Sequence, residues 1–382
     1  MPLFLLSYFI IYGIMNVYVL MKARAALDLS KRLTLPLLIF MSFMIIAPVI
    51  IRLAEKNDDP SLAIFLSYVG YFWLGFIFLF VSCALAIDTY RCLARIAAIL
   101  LGKKVLPGHI SVPMAFFIPF FTAIAVGCYG IFEAADIRTE HVVLHTNKLL
   151  PTDGQVRIVQ ISDVHLGLIV RESHLTRILA AVKKANPDLL VSTGDLVDGQ
   201  MNDLDKLTQL FQEIQPPSGK YAVTGNHEYY AGLGHALTFT KQAGFVLIQG
   251  KTELIAEGRI ILAGVDDETA RYMDPYYSPD EQEILKDIPA DIFTILLKHR
   301  PQFNSGSRRR PDLQLSGHTH KGQIFPFSLV TWLFFPVPTG YSVPTEGSSL
   351  YVSRGTGTWG PPIRFLAPPE VTIIDLLPIG VF

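Results

Sequence analysis

Five short polar motifs between residues 163 and 320 contain the kinds of side chain that bind metal ions. Each motif follows an apolar run of strand length, at the point where a loop would leave the carboxyl end of a strand. Five such loops along one edge of a sheet would converge on a single site. The motifs are Asp163-Val164-His165, Gly194-Asp195, Gly225-Asn226-His227-Glu228, the isolated His299, and Gly317-His318-Thr319-His320.

The side chains in these motifs predict a site for two divalent metal ions. Imidazole, carboxylate and amide groups suit Mn, Fe, Zn or Mg rather than thiophilic ions. The cysteines Cys83, Cys92 and Cys128 all precede the motifs, so a Cys-rich zinc site among them is excluded. A pair of ions about 3.5–4 Å apart can bind both the attacking and the departing oxygen of a phosphoryl displacement. A carboxylate, with its two oxygens, is the natural bridge between them.

The residues around the motifs predict an α/β domain with a mixed sheet. Apolar runs first alternate with helical patterns such as 173–184 and later follow one another directly. This order is typical of a sandwich flanked by helices. Strands are predicted at 156–161, 188–193, 220–224, 245–248, 260–263, 292–298, 313–316, 350–353 and 371–375.

The chain begins with four apolar stretches, each near the ~20 residues that cross a bilayer as a helix. They contain no Asp, Glu, Lys, Arg or His, whereas ion and proton pathways usually need such groups. Residues 1–139 are therefore predicted to be a transmembrane anchor in the lipid bilayer rather than a transporter. The predicted spans are 2–21, 33–51, 61–87 and 111–132.

Charge divides the chain and predicts its orientation. Up to residue 132 it has ten Lys/Arg and five Asp/Glu, which leaves 22 and 28 for the remainder. The acidic remainder offers no basic surface for nucleic acid. The first and third loops are basic, so they are expected in the cytoplasm, and four spans then put the large domain on the extracytoplasmic side. The residues counted are Lys22, Arg24, Lys31 and Arg32 in the first loop, Arg91, Arg95, Lys103 and Lys104 in the third, and Arg52 and Lys56 beside Glu55, Asp58 and Asp59 in the second.

The order of the motifs resembles the calcineurin-like metallophosphoesterase superfamily. The segments VRIVQISDVHLG, PDLLVSTGDLVDG, YAVTGNHEYY, LSGHTHKGQI and VSRGTGTWGPPIRF are similar to the branch of transmembrane proteins with a metallophosphoesterase domain. The resemblance implies a metallophosphoesterase-type mixed β-sandwich flanked by helices in residues 140–382. It also implies a membrane-anchored hydrolase of a phosphodiester or a diphosphate, with lipid-linked phosphates among the candidate substrates.

The resemblance further implies a role for each motif residue. The implied ligands are Asp163, His165 and His320 for the first metal, Asn226, His299 and His318 for the second, and Asp195 as the bridge. His227 would be the catalytic residue that protonates the leaving oxygen or stabilises the transition state. The nucleophile would be a hydroxide held between the two metals, whose charge lowers the pKa of water. Because all these residues are present, an enzyme is favoured over a membrane scaffold that has lost catalysis.

Three features keep two interpretations each. Lys321 stands where the branch often has Gly, and it either contacts the substrate phosphate or is solvated. Asp198 either orients a metal-binding histidine or caps a helical turn. The apolar segment 324–337 either packs into the core or lies in a membrane interface, where Trp and Phe are favoured.

Overall fold

The structure is a computed structural model of the chain. Its compact units are Met1–Phe132 with Gly360–Ile363, and Glu133–Trp359 with Arg364–Phe382. Asp58, Asp59 and Lys104, which entered the prediction of orientation, lie outside the residues that the structure describes. The described residues are 2–56, 60–103, 108–150, 152, 154–199, 205–273, 280–304, 306 and 309–379.

The first unit is built from helices. Among the described residues, four helices are long and apolar enough to cross a membrane, which confirms the four predicted apolar elements. Many of their large apolar side chains point outward and are exposed, as in helices that face lipid. The helices are α1 (Pro2–Leu27), α2 (Lys31–Lys56), α3 (Pro60–Leu100) and α4 (Met114–Ala135).

Helix α3 is longer than predicted. The predicted span ends at residue 87, but the helix continues to Leu100. The helix continues past the predicted span because residues 88–100 contain no Gly or Pro, and the next helix breaker is Gly102 with a φ of 63°. Its 41 residues make α3 roughly 60 Å long, about twice the hydrocarbon thickness. Asp88 ties α3 to α1 through an ion pair of 2.5 Å with Lys22.

The second unit contains two six-stranded mixed sheets within the described part of the chain. The first sheet has the order β1-β12-β2-β3-β4-β5, and the second has the order β10-β11-β9-β8-β7-β6. The strands are β1 (Arg138–Thr146), β2 (Val156–Ile161), β3 (Leu189–Ser192), β4 (Lys220–Ala222), β5 (Val246–Leu247), β6 (Lys251–Ile255), β7 (Ile260–Val265), β8 (Phe293–Lys298), β9 (Leu313–Ser316), β10 (Gly340–Thr345), β11 (Ser348–Val352) and β12 (Glu370–Pro378). The helices are α5 (Glu172–Ala185), α6 (Asp205–Gln212), α7 (Asn226–Ala231), α8 (Leu233–Gln242), α9 (Ala270–Met273), α10 (Glu281–Leu285) and α11 (Phe327–Phe334).

Two apolar cores hold the sheets and helices of this unit together. Alternate residues of β2 show the division, since Ile158 joins the core between the two sheets while Val159 joins the core under α5, α6 and α8. A smaller cluster packs α10 on the outer face of the second sheet. The predicted sandwich flanked by helices is confirmed.

Three strands were not predicted, namely β1, β6 and β10. Each lies at an edge of its sheet. Their side chains are largely exposed or half-buried, so the continuous apolar run that identified the interior strands is missing. β1 is in addition paired with β12, more than two hundred residues later in the chain, and no local pattern reports such a partner.

Candidate metal centre

The five motifs follow strands of two different sheets. The prediction that they lie along one edge of a single sheet was wrong. Asp163, Asp195 and Asn226 follow β2, β3 and β4 of the first sheet. His299 and His318 follow β8 and β9 of the second sheet. Because the two sheets are packed face to face, the carboxyl ends of their parallel strands open toward the same region.

The backbone is strained where the motif side chains converge. L-residues rarely adopt positive φ angles, at a cost of about 1–2 kcal/mol each. Bonds between the loops hold this conformation, since the backbone N–H of Asp163 donates to the carbonyl of Gly194 and that of His165 to the carbonyl of Asp195, both at 3.0 Å. The motif residues concerned are Asp163 (53°), His165 (54°), Asp195 (52°), His318 (71°) and His320 (48°).

One group of possible ligand atoms comes from Asp163, His165 and His320, which lie within 4.8 Å of one another and are buried. Nε2 of His320 lies 3.0 Å from Nε2 of His165 and 3.3 Å from Oδ1 of Asp163. Asp163 is held by the Ser162 hydroxyl at 2.5 Å and by the backbone N–H of His318 at 3.0 Å. These are the residues predicted for the first metal.

A second group consists of Asp195, His299 and His318, again within 4.8 Å of one another. Nε2 of His299 lies 3.2 Å from Oδ2 of Asp195 and 3.1 Å from Nδ1 of His318. Nδ1 of His299 donates to the carbonyl of Thr193 at 2.8 Å, which leaves Nε2 as the acceptor that a metal needs. Oδ2 of the same Asp195 is 3.8 Å from Nε2 of His165 in the first group, as expected of a bridging carboxylate.

Asn226 supplies a further oxygen. Its Oδ1 atom is buried, and within the described residues it has no hydrogen-bond partner. A buried amide oxygen left unpaired is costly, and a cation would satisfy it. Gly225 beside it has no room for a side chain, because a Cβ atom there would overlap the carboxylate of Asp195.

The charges of the site also fit cations. Burial opposes the charge of His299, yet Asp195 and Asp163 raise its pKa to about 10. Burial and the neighbouring His299 lower the pKa of His318 to about 3. The buried carboxylates thus retain positive charge on one imidazole, and a divalent ion would supply that charge instead. The residues present therefore fit two divalent metal ions.

His227 lies beside both groups. Its backbone N–H donates to Oδ1 of Asp195 at 2.8 Å, and its Nδ1 lies 2.7 Å from Oδ1 of Asp198. Burial opposes its charge, but the charge of Asp195 and the contact with Asp198 raise its pKa to about 9. His227 is also within 4.8 Å of His165 and Asp195, so distance alone would allow it to be a ligand. Protonated and near a substrate, it could equally donate a proton.

The contacts of Asp198 and the exposure of segment 324–337 each favour one of the two interpretations given above. Asp198 approaches Nδ1 of both His227 and His165, the latter at 3.5 Å, which favours an orienting role over a helix cap. Within the segment, α11 buries only Thr331, so core packing was the wrong interpretation for this helix. Lys321 is half-buried and follows His320 with a φ of 52°.

Two residues of the site had no role in the sequence analysis. The buried carboxylate of Glu228 accepts backbone N–H groups of Gly225 and of residues 195–197. Its signal was an acid at the third position of a helix that follows a motif. The fully buried guanidinium of Arg364 donates to the carbonyls of Gly357 and Arg354 and lies 3.2 Å from Nδ1 of His320. The only feature of the sequence that could have indicated a role for Arg364 is its charge within the apolar run IRFLA.

Comparison with known proteins agrees with this geometry. The chain belongs to the calcineurin-like phosphoesterase family, whose profile matches residues 156–322, and the predicted resemblance is confirmed. An uncharacterized metallophosphoesterase of Aquifex aeolicus is 39% identical over 257 residues, or 67% of this chain and 98% of that protein. A zebrafish (Danio rerio) transmembrane protein with metallophosphoesterase domain is 34% identical over 259 residues, or 65% of this chain but only 59% of the zebrafish protein. The solved structure of TT1561 of Thermus thermophilus is 15% identical, covers 52% of this chain and 89% of its own, and has a TM-score of 0.35.

Proposed function

We propose that this chain is a membrane-anchored hydrolase that cleaves a phosphodiester or a diphosphate with two divalent metal ions. The observation that carries the proposal is the pair of ligand groups, with Oδ2 of Asp195 lying 3.2 Å from Nε2 of His299 in one and 3.8 Å from Nε2 of His165 in the other. The metals would be Mn, Fe, Zn or Mg, as the oxygen and imidazole ligands favour. The proposed ligands are Asp163, His165 and His320 for the first ion, Asn226, His299 and His318 for the second, and Asp195 for both.

Residues beside the metal ligands would contribute to the hydrolysis as well. Two divalent ions at these positions would act as Lewis acids toward the phosphoryl oxygens and the attacking water. His227, oriented through Nδ1 by Asp198, would present Nε2 to the leaving oxygen and donate a proton to it. Lys321 would add a positive charge for a substrate phosphate, since it directly follows the ligand His320.

The anchor would be residues 1–139, and the catalytic domain would be residues 140–382. Support for a membrane location comes from the four long apolar helices and from relatives named transmembrane proteins. The basic first and third connections support an extracytoplasmic catalytic domain. A phosphate carried by a lipid is the substrate class that such an anchor would favour.

The test uses the full chain in detergent, stripped of metal and reloaded with one metal at a time. Hydrolysis of p-nitrophenyl phosphate, its bis ester and a lipid diphosphate is measured together with metal content by mass spectrometry. Asp195→Asn should lose metal and activity together. His227→Ala should lose about 10²–10⁴-fold in turnover and keep its metal, as expected for a general acid.

The matched control is His235→Ala, because His235 is an exposed histidine on α8 outside the site. Its activity and metal content should equal those of the native chain. Loss of metal from the His227→Ala variant would indicate that His227 is a metal ligand rather than a proton donor. A native chain that hydrolyses none of the three esters with any of the four metals would refute the proposed activity.

A further inference from the structure

Next to the metal site lies an exposed apolar surface that the proposed chemistry does not use. We define the apolar rim as α11 with the preceding Phe325. Each of its large apolar side chains is at least 40% exposed, and those at the end of α11 reach 74% and 75%. The large apolar residues of the rim are Phe325, Phe327, Leu329, Val330, Trp332, Leu333 and Phe334.

Helix α11 is the reverse of an ordinary surface helix. An amphipathic helix buries its apolar side chains and exposes its polar ones. Here the only side chain of α11 that is buried is the polar Thr331, within the described residues. Residues 322–345 include no Asp, Glu, Lys, Arg or His at all. An exposed patch of this kind marks a surface that is covered in the working protein.

Three observations identify the covering partner as a phospholipid bilayer. Trp and Phe favour the boundary between lipid headgroups and acyl chains, and Trp332 and Phe334 of the rim are 62% and 75% exposed. Lys321, directly before the charge-free stretch, complements the anionic phosphates of lipids. The chain leaves α4 at Ala135 and enters β1 at Arg138, so a bilayer around α4 would have the start of β1 within about 10 Å of the end of that helix.

We propose that the apolar rim inserts into the headgroup boundary of a phospholipid bilayer and thereby presents the metal site to phosphates at the membrane surface. The rim is joined directly to the site, because the ring of Phe335, at the end of α11, lies 5.6 Å from the ring of His318. This inference rests on the proposed membrane anchor and deepens the proposed function, since it selects substrates whose phosphate lies at the lipid surface.

The test places a fluorescent reporter in the rim of the full chain. The chain has three tryptophans, so Trp73→Phe with Trp359→Phe leaves Trp332 as the only emitter. The protein is reconstituted in vesicles of phosphatidylcholine and phosphatidylglycerol with or without bromine on the acyl chains. Bromine quenches only tryptophans at the depth of the lipid. The matched control adds Trp332→Phe and Leu254→Trp, because Leu254 is 62% exposed on β6, at the opposite edge of the second sheet from β10.

Brominated lipid should reduce the emission of Trp332 at least twofold and leave the Leu254→Trp reporter unchanged. Adding Leu333→Glu and Phe334→Glu to the Trp332 reporter should remove most of that quenching, whereas Leu254→Glu should not. Equal quenching of the two reporters, or a blue-shifted Trp332 that bromine does not quench, would overturn the proposal; the second result would mean that protein covers the rim. Hydrolysis of bis-p-nitrophenyl phosphate by the Trp332 reporter is followed in parallel, so a failed rim and a failed enzyme are told apart.

Discussion

Glu228 allows a sharp test of how the ligand loops are held in place. Its Oε2 accepts the backbone N–H groups of Gly225 at 2.6 Å and Asp195 at 3.0 Å. Its Oε1 accepts those of Leu196 at 2.7 Å and Val197 at 3.3 Å. Glu228→Gln keeps one acceptor oxygen and turns the other into a donor, so two of the four bonds are lost. The variant should therefore loosen the loop that carries the bridging carboxylate.

The size of the effect follows from the bonds. A hydrogen bond to a charged group contributes about 1.5–3 kcal/mol. Burial raises the pKa of Glu228, so removal of its charge relieves part of the loss, and the lower value is appropriate. Two bonds at ~1.5 kcal/mol give about 3 kcal/mol, or roughly 10²-fold in the opening equilibrium of the loop.

Hydrogen exchange followed by mass spectrometry measures this directly on the full chain. Peptides that contain Gly225 and residues 195–197 should exchange roughly 10²-fold faster in Glu228→Gln. Glu213→Gln is the control, because Glu213 forms an exposed ion pair with Lys183, and such pairs contribute less than about 1 kcal/mol. Unchanged protection of these amides in Glu228→Gln would refute the idea that this carboxylate holds the two loops together.

Four further results are expected. Chelation of the metals should lower the melting temperature of the second unit by roughly 10 °C, because a ligand at 1,000 times its Kd adds about 4 kcal/mol to the free energy of unfolding. An unchanged melting temperature by calorimetry would contradict the proposed metal site. Lys220 donates to the carbonyls of Phe211 and Ala243 at the ends of two helices, and Lys220→Met should destabilise the unit by about 2–4 kcal/mol. Burial lowers the pKa of Lys220 to about 8 from its ordinary 10.5, so between these pH values the unfolded chain binds more protons and the stability of the folded unit rises with pH. Lys220→Met should lose this rise. A melting temperature that rises equally with pH in the variant and the native chain would refute this role of Lys220. A fusion of alkaline phosphatase at residue 140 should be highly active, and a fusion of green fluorescent protein at the same residue should not fluoresce. The opposite pattern would place the catalytic domain in the cytoplasm.

The candidate ligands could be selected from the sequence because their motifs follow predicted strands, and the family resemblance implied their assignment to two metals. Glu228 and Arg364 could not be assigned a role in the same way. Their hydrogen-bond partners are mostly backbone groups, and backbone groups leave no trace in residue types. The same holds for the division of the motifs between two sheets, which depends on the packing of one sheet on another rather than on any local pattern.

The helices show a similar limit. Apolar composition was sufficient to predict four long helices, but α3 extends 13 residues past the predicted end of its span at 87. Composition reports where a segment prefers lipid, whereas the end of a helix depends on a breaker, and Gly102 is the first one available. The sequence likewise left two interpretations of segment 324–337 open, since an apolar segment has the same composition whether it packs into a core or is exposed, as α11 is.

The position of β12 has a consequence for biosynthesis. Among the strands of the described residues this one is synthesised last, yet it lies inside the first sheet, parallel to β1 and antiparallel to β2. Synthesis of α1–α4 is therefore complete long before the first sheet can close. Until Glu370 and the residues after it emerge, the nascent chain exposes two unpaired strand edges, which invite aggregation. A nonsense mutation that ends the chain just before Glu370 would thus leave β1 and β2 without the strand that lies between them.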